Sequence, residues 1–98
     1  STDEVKQERI ITQKWIANWM LGNEAWADYR RTGYPKLIPT TDEGNMSGGT
    51  VDNKKGARRM PYPSAEYIDN TVNVQYAVNN YLKRADNMAT DLWWACKP

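Results

Sequence analysis

The sequence predicts a mainly α fold of about three helices joined by long irregular loops, with room for a small β-hairpin. Two stretches, near residues 3–21 and 71–85, repeat apolar side chains at helical spacing. Between them glycine, proline and asparagine recur too often for regular structure to persist. Within "RRMPYPSAEY", Pro61 and Pro63 lack the donors a central strand needs.

The first helix is expected over residues 3–21. Ile11, Trp15 and Trp19 step by four, and Ile16 and Met20 widen the same stripe. Ser1 and Glu4 have capping-box spacing at its start. Gly22 suits a left-handed stop and Asn23 a fresh N-cap. A second helix then covers residues 24–32. Glu24 sits in its first turn and Arg30 and Arg31 in its last, all favourable to the helix dipole. Gly33 fits the left-handed position beyond the helix, and Pro35 prevents its resumption.

Residues 36–63 read as irregular. Gly44, Gly48, Gly49 and Gly56 interrupt a polar run that is long for a connection inside a compact domain. The following "RRMPYP" is expected to be extended and polyproline-like, with Ser64 capping a short turn at residues 65–68. The last helix is expected over 71–85. Val74, Ala77, Val78, Tyr81, Leu82 and Ala85 follow one helical face, which frays at "RADN". In the tail "DLWWACKP", the adjacent tryptophans must point in different directions.

Composition narrows the function classes. Ninety-eight residues read as a single segment, one small domain or a piece of a larger chain. The net charge of +1 provides no field to attract nucleic acid or an anionic membrane. Histidine is absent, which removes the commonest neutral-pH base and metal ligand. Leu, Ile and Val total 14 and Phe is absent, so five Trp and six Tyr must supply most of the apolar surface. Cys96 stands alone and can form no internal disulfide. No apolar run is long enough to span a membrane, and "STDEVKQERI" lacks the apolar core of a signal peptide. An export signal, if the protein is exported, belongs upstream.

Trp15, Trp19 and Trp26 have the residue type of a sugar-stacking platform, but their helical spacing favours a core stripe. Of Trp93 and Trp94, one is expected to anchor the tail and the other to be exposed, and both are candidate ligand contacts. Arg30, Arg31, Arg58 and Arg59 near Tyr34 and Tyr62 superficially suggest nucleic-acid binding. The balancing carboxylates favour ion pairs and ring stacking instead. Glu24 and Asp28, four apart, could in principle serve glycoside hydrolysis, while Arg31 offers Asp28 an ordinary salt bridge. "TDEGN" lacks the spacing of a calcium loop and reads as a turn. No catalytic residue, metal site or cofactor is assigned.

Several of these pieces recur in order. "ITQKWIANWM", "EAWADYRRTGYPKL", "SGG", "RRMPYPSAEY" and "LWW" resemble the C-terminal segment of SusD/RagB family proteins from about Ile10 to Trp94. The resemblance implies a non-enzymatic, lipid-anchored, surface-exposed protein of the Bacteroidetes outer membrane. It would bind a glycan or other nutrient and pass it to a SusC-like TonB-dependent transporter, without nucleic acid or cofactor. It also implies a helical fold whose irregular C-terminal part packs on upstream helix pairs. The lipid-bearing Cys would lie outside this chain, since Cys96 is at the wrong end. Trp26, Arg30, Arg31, Gly33, Tyr34, Pro35, Arg58, Arg59, Pro61, Tyr62 and Pro63 match the family pattern and are expected to maintain the fold. The tail departs from the pattern, with Ala95 and Cys96 where an acidic residue often follows the tryptophans. Two other readings remain open: a structural or interaction segment that touches no ligand, and a fragment of a glycoside hydrolase. A segment deprived of covering helices would also expose apolar surface or self-associate.

Overall fold

The structure, a computed structural model, describes residues 2–95. It is mainly α, with α1 (Asp3–Ala17), α2 (Gly22–Thr32), α3 (Ser64–Asp69) and α4 (Thr71–Ala77). A π-turn (Val78–Leu82) follows α4, and a 3-10 turn spans Trp93–Ala95. No strand occurs among the described residues. Where a hairpin had room to form, a single antiparallel bridge joins Asp52 and Gly56. The chain forms two compact units: residues up to Ile38 with Trp94 and Ala95, and Pro39–Trp93.

In the first unit, Thr2 rather than Ser1 caps α1, its Oγ1 accepting the Val5 N–H at 3.3 Å; Ser1 lies outside the described residues. The helix ends at Ala17, short of the expected Leu21. Asn18 leaves helical geometry at φ −86, ψ 28. Asparagine competes for backbone hydrogen bonds and suits a helix end better than an interior. The chain then turns, with Leu21 N–H donating to the Asn18 carbonyl at 2.8 Å. Gly22 is the first residue of α2 and not a left-handed stop. Leu21 occupies the N-cap position without a side-chain cap, so Asn23 does not cap the helix.

The end of α1 pairs with the first two turns of α2, and the first half of α1 with residues just beyond the end of α2, so the two helices run antiparallel. Lys14 near the end of α1 meets Glu24 and Asp28 of α2 at 3.3 and 2.8 Å. Lys36, beyond α2, reaches back to Glu8 at 3.6 Å. Tyr34 OH donates to Glu4 Oε1 in the first turn of α1 at 2.5 Å. The end of α2 forms as the sequence predicts: Gly33 is left-handed at φ 79, and its N–H donates to the Tyr29 carbonyl at 2.8 Å. Thr32, 2% exposed, donates its hydroxyl to the Asp28 carbonyl and accepts the Tyr34 N–H. A cis peptide joins Tyr34 to Pro35.

The second unit is held by loops as much as by helices. "TDEGN" is a turn, with Gly44 N–H on Thr41 Oγ1 at 3.0 Å and Asn45 N–H on the Asp42 carbonyl at 3.3 Å. Asn45 Nδ2 spans the loop to the Val51 carbonyl at 2.9 Å. Backbone N–H groups of Lys55 and Lys54 hold the Asp52 carboxyl below the usual carboxylate range. Ser64 begins α3 instead of capping it, because Pro63 takes the N-cap position and no side-chain cap forms. Asn70, at φ −140, ψ 38, separates α3 from α4.

The expected helix over 71–85 is α-helical only to Ala77. It then widens into the π-turn, where Lys83 N–H closes on the Val78 carbonyl at 2.8 Å. Lys83 itself is left-handed at φ 57, which ends the helix before Ala85.

Nothing within 4 Å would meet a Cβ added at Gly33, so its requirement is purely conformational. Gly33→Ala should therefore cost about 1–2 kcal/mol of stability, the left-handed penalty alone. Urea denaturation measures it.

Candidate functional site

An aromatic groove lies in the first unit. Trp15, Asn18, Trp19, Trp26, Tyr29 and Leu37 are among the residues lining a cavity of about 350 Å³. The expected core stripe is buried only at Ile11, while Trp15 is 38% and Trp19 80% exposed. The early end of α1 is the cause, because Trp19 and Met20 fall in the turn and not on the helical face. The Asn18 carboxamide nitrogen is buried without a hydrogen-bond partner among the described residues.

Beside this groove Arg30 organises the aromatics. Its guanidinium lies 3.7 Å from the centroid of Trp26 and 4.9 Å from that of Trp94, both within cation–π range. Trp94 is thereby half-buried, whereas Trp93 is 87% exposed. The adjacent indoles diverge as their adjacency requires. Cys96 lies outside the described residues.

The carboxylates of α2 are occupied by cations. Asp28, 9% exposed, pairs with Lys14 at 2.8 Å and Arg31 at 3.1 Å. The Lys14 ammonium holds the Asp28 carboxyl below its ordinary range, opposed by burial and supported by Arg31. The paired carboxylates of Asp28 and Glu24 in turn raise the Lys14 ammonium. From sequence Glu4 is only a capping-box position and Lys14 has no assigned role, yet both anchor the unit. Each lies far from its partner along the chain, so no local spacing could reveal the pairing.

Arg58 and Arg59 are neighbours in sequence but serve two carboxylates. Arg58 Nε donates to Asp91 at 2.5 Å, where Lys55 also approaches at 3.5 Å. Arg59 Nη1 donates to Asp86 at 2.5 Å and to the Asn87 carbonyl at 3.3 Å. Asp86 also accepts the Tyr62 N–H at 3.1 and 3.3 Å, and the Tyr67 hydroxyl. Arg59 stacks 5.1 Å from the Tyr62 centroid. Both arginines are about 95% buried. Burial alone would push the Asp86 carboxyl up. The Tyr67, Arg59 and Tyr62 donors outweigh it and hold the group below the ordinary range.

These residues form an ion-paired and ring-stacked framework. Among the described residues no group of three or more His, Cys, Asp or Glu could hold a metal ion, and no helix is long and apolar enough to cross a membrane.

The buried pair generates a stability test. Arg59→Ala strands Asp86 and should cost about 3–5 kcal/mol. A double Arg59→Met, Asp86→Leu variant should recover only part of this, since the Tyr62 N–H loses its acceptor. The pH profile has two limbs. Asp28 and Asp86 are depressed when folded, so their stabilisation is complete above about pH 4 and is lost as acid titrates through their lowered values. Tyr34 is raised to about 12, chiefly by its hydrogen bond to Glu4. Its contribution is complete below about pH 10 and lost as pH rises towards 12. Tyr34→Phe should make the alkaline limb of a stability–pH curve shallower, the raised Lys14 and Tyr67 still contributing to it, and leave the acid limb in place.

The same architecture recurs in solved proteins. A SusD homolog from Bacteroides uniformis is 76% identical with a TM-score of 0.93, over 99% of this chain and 20% of that one. One from Bacteroides ovatus is 51% identical with a TM-score of 0.89, over the same shares. A chitin-binding SusD homolog from Flavobacterium johnsoniae is 45% identical with a TM-score of 0.88, over 100% of this chain and 20% of that one. The chain thus spans about a fifth of the length of these relatives. No curated protein matches it. The family model described as SusD and RagB outer membrane lipoprotein matches residues 1–95, and the chain belongs to that SusD-like family.

Proposed function

We propose that this chain is the C-terminal segment of a longer, non-catalytic glycan-binding protein of the outer membrane. That protein is surface-exposed, anchored by a lipid outside this chain, and passes its ligand to a SusC-like TonB-dependent transporter. The observation that carries the glycan assignment is the 45% identity, along the whole chain, to a homolog described as chitin-binding. Within the protein this segment acts mainly as scaffold. Trp26, Arg30, Arg31, Tyr34, Arg58, Arg59 and Tyr62 all stack on rings, pair with carboxylates or hydrogen-bond to them. Gly33, Pro35, Pro61 and Pro63 fit the same role by shaping the backbone between those contacts.

A purely structural segment without ligand contact is the second reading, favoured by this engagement of the pattern residues. Trp93, 87% exposed, is the tail residue best placed to depart from it, while Trp94 is stacked on Arg30. Hydrolysis is disfavoured, because Lys14 bridges the two carboxylates a glycosidase would need.

The longer protein should be retained on immobilised chitin oligosaccharides or another member of a neutral-glycan panel, and the isolated chain should bind at least tenfold more weakly. Equal retention of the two would overturn the scaffold assignment, and no retention of the longer protein would overturn the glycan role. Glu24→Gln should leave retention unchanged, with no sugar released by either form.

A further inference from the structure

In the second unit, Tyr76 and Tyr81 form an exposed ring pair. They are 58% and 73% exposed, with centroids 5.8 Å apart and planes at 80°. Five residues on an α-helix would place the second ring about 140° around the axis from the first. The π-turn beginning at Val78 widens the backbone and brings residues five apart onto one side. The edge-to-face contact therefore depends on an irregular helix that the sequence pattern did not predict.

We infer that this Tyr76–Tyr81 corner is a contact site for a neutral glycan, one pyranose ring stacking on a phenol face while its hydroxyls meet the polar groups around it. An edge-to-face pair covers one face of one ring and leaves the other faces open. Neither phenol hydroxyl, nor the carboxamide of exposed Asn79, has a hydrogen-bond partner among the described residues. Asn80, in the same π-turn, spends its Nδ2 on the Tyr76 carbonyl at 2.9 Å and keeps its carboxamide oxygen as an acceptor. Uncovered ring faces beside uncharged donors and acceptors suit a sugar, which presents C–H patches and hydroxyls together. A protein partner would instead draw on the whole exposed apolar face, including Val72, 81% exposed one helical turn before Tyr76.

The site rests on the glycan-binding reading above but assigns the contact to residues outside the family-pattern positions. The test uses the longer protein and a panel of immobilised neutral oligosaccharides: chitohexaose, maltohexaose, xylohexaose and cellohexaose. On whichever the unsubstituted protein retains, Tyr76→Ala and Tyr81→Ala should each weaken binding about 5–10-fold. Tyr76→Phe and Tyr81→Phe keep the stacking faces and should lose about threefold or less. Val72→Ser, which removes an aliphatic but no ring, should stay within about twofold. Thermal midpoints and circular dichroism spectra should match across the set; a Tyr→Ala variant that unfolds is set aside, and the Phe and Val72 variants decide. Unchanged retention in both Tyr→Ala variants overturns the site alone. A loss in Val72→Ser beyond about twofold and larger than in the Phe variants overturns the site, since glycan binding would then follow the aliphatic face and not the rings. Retention of no glycan by the unsubstituted protein overturns the site together with the reading on which it rests.

Discussion

Asp86 is the residue on which the second unit depends. A carboxylate this deeply placed is tolerable only if its lone pairs are filled, and Arg59, the Tyr62 N–H and the Tyr67 hydroxyl fill them. Those donors lie on the proline-bracketed strap after the long loop and on α3. The acceptor lies beyond the π-turn. One ionised group therefore closes a large loop that has neither strand ladder nor disulfide to hold it. Arg58 repeats the device with Asp91, and its own N–H adds a backbone bond to the Met88 carbonyl at 2.7 Å.

Both units compensate in the same way for a chain poor in large aliphatics. Charged groups become interior material once each is matched by a counter-charge and by hydrogen bonds to its remaining sites. In the first unit Asp28 is held between Lys14 and Arg31, and Tyr34 reaches back to Glu4. Arg30 provides a planar cation that two indoles can share. Such a framework fixes geometry more than it adds net stability, because desolvating each ion offsets much of what its pairing returns. It suits a scaffold that must hold loops in place.

The two aromatic features differ in chemistry. The groove in the first unit is walled mainly by indoles, whose polar surface is small. The Tyr76–Tyr81 corner presents phenol hydroxyls and side-chain amides beside its ring faces. A covering apolar surface satisfies the first, and an amphipathic, uncharged ligand satisfies the second.

The sequence by itself determined the helical class and the family, and it located the hard stops. Gly33 and Pro35 end α2 because backbone conformation at those positions is a local property, and local properties are written locally. It also showed that Arg58 and Arg59 would seek carboxylates, since a near-neutral chain offers them few other partners. Only the tertiary structure decided which ones. Arg59 and Asp86 are 27 residues apart along the chain, and no periodicity links a loop residue to one beyond a helix. The early end of α1 and the π-turn were hidden for a related reason. Helical patterning reports which side chains favour one face, whereas hydrogen bonds at Asn18 and Lys83 decide where that face stops being a face.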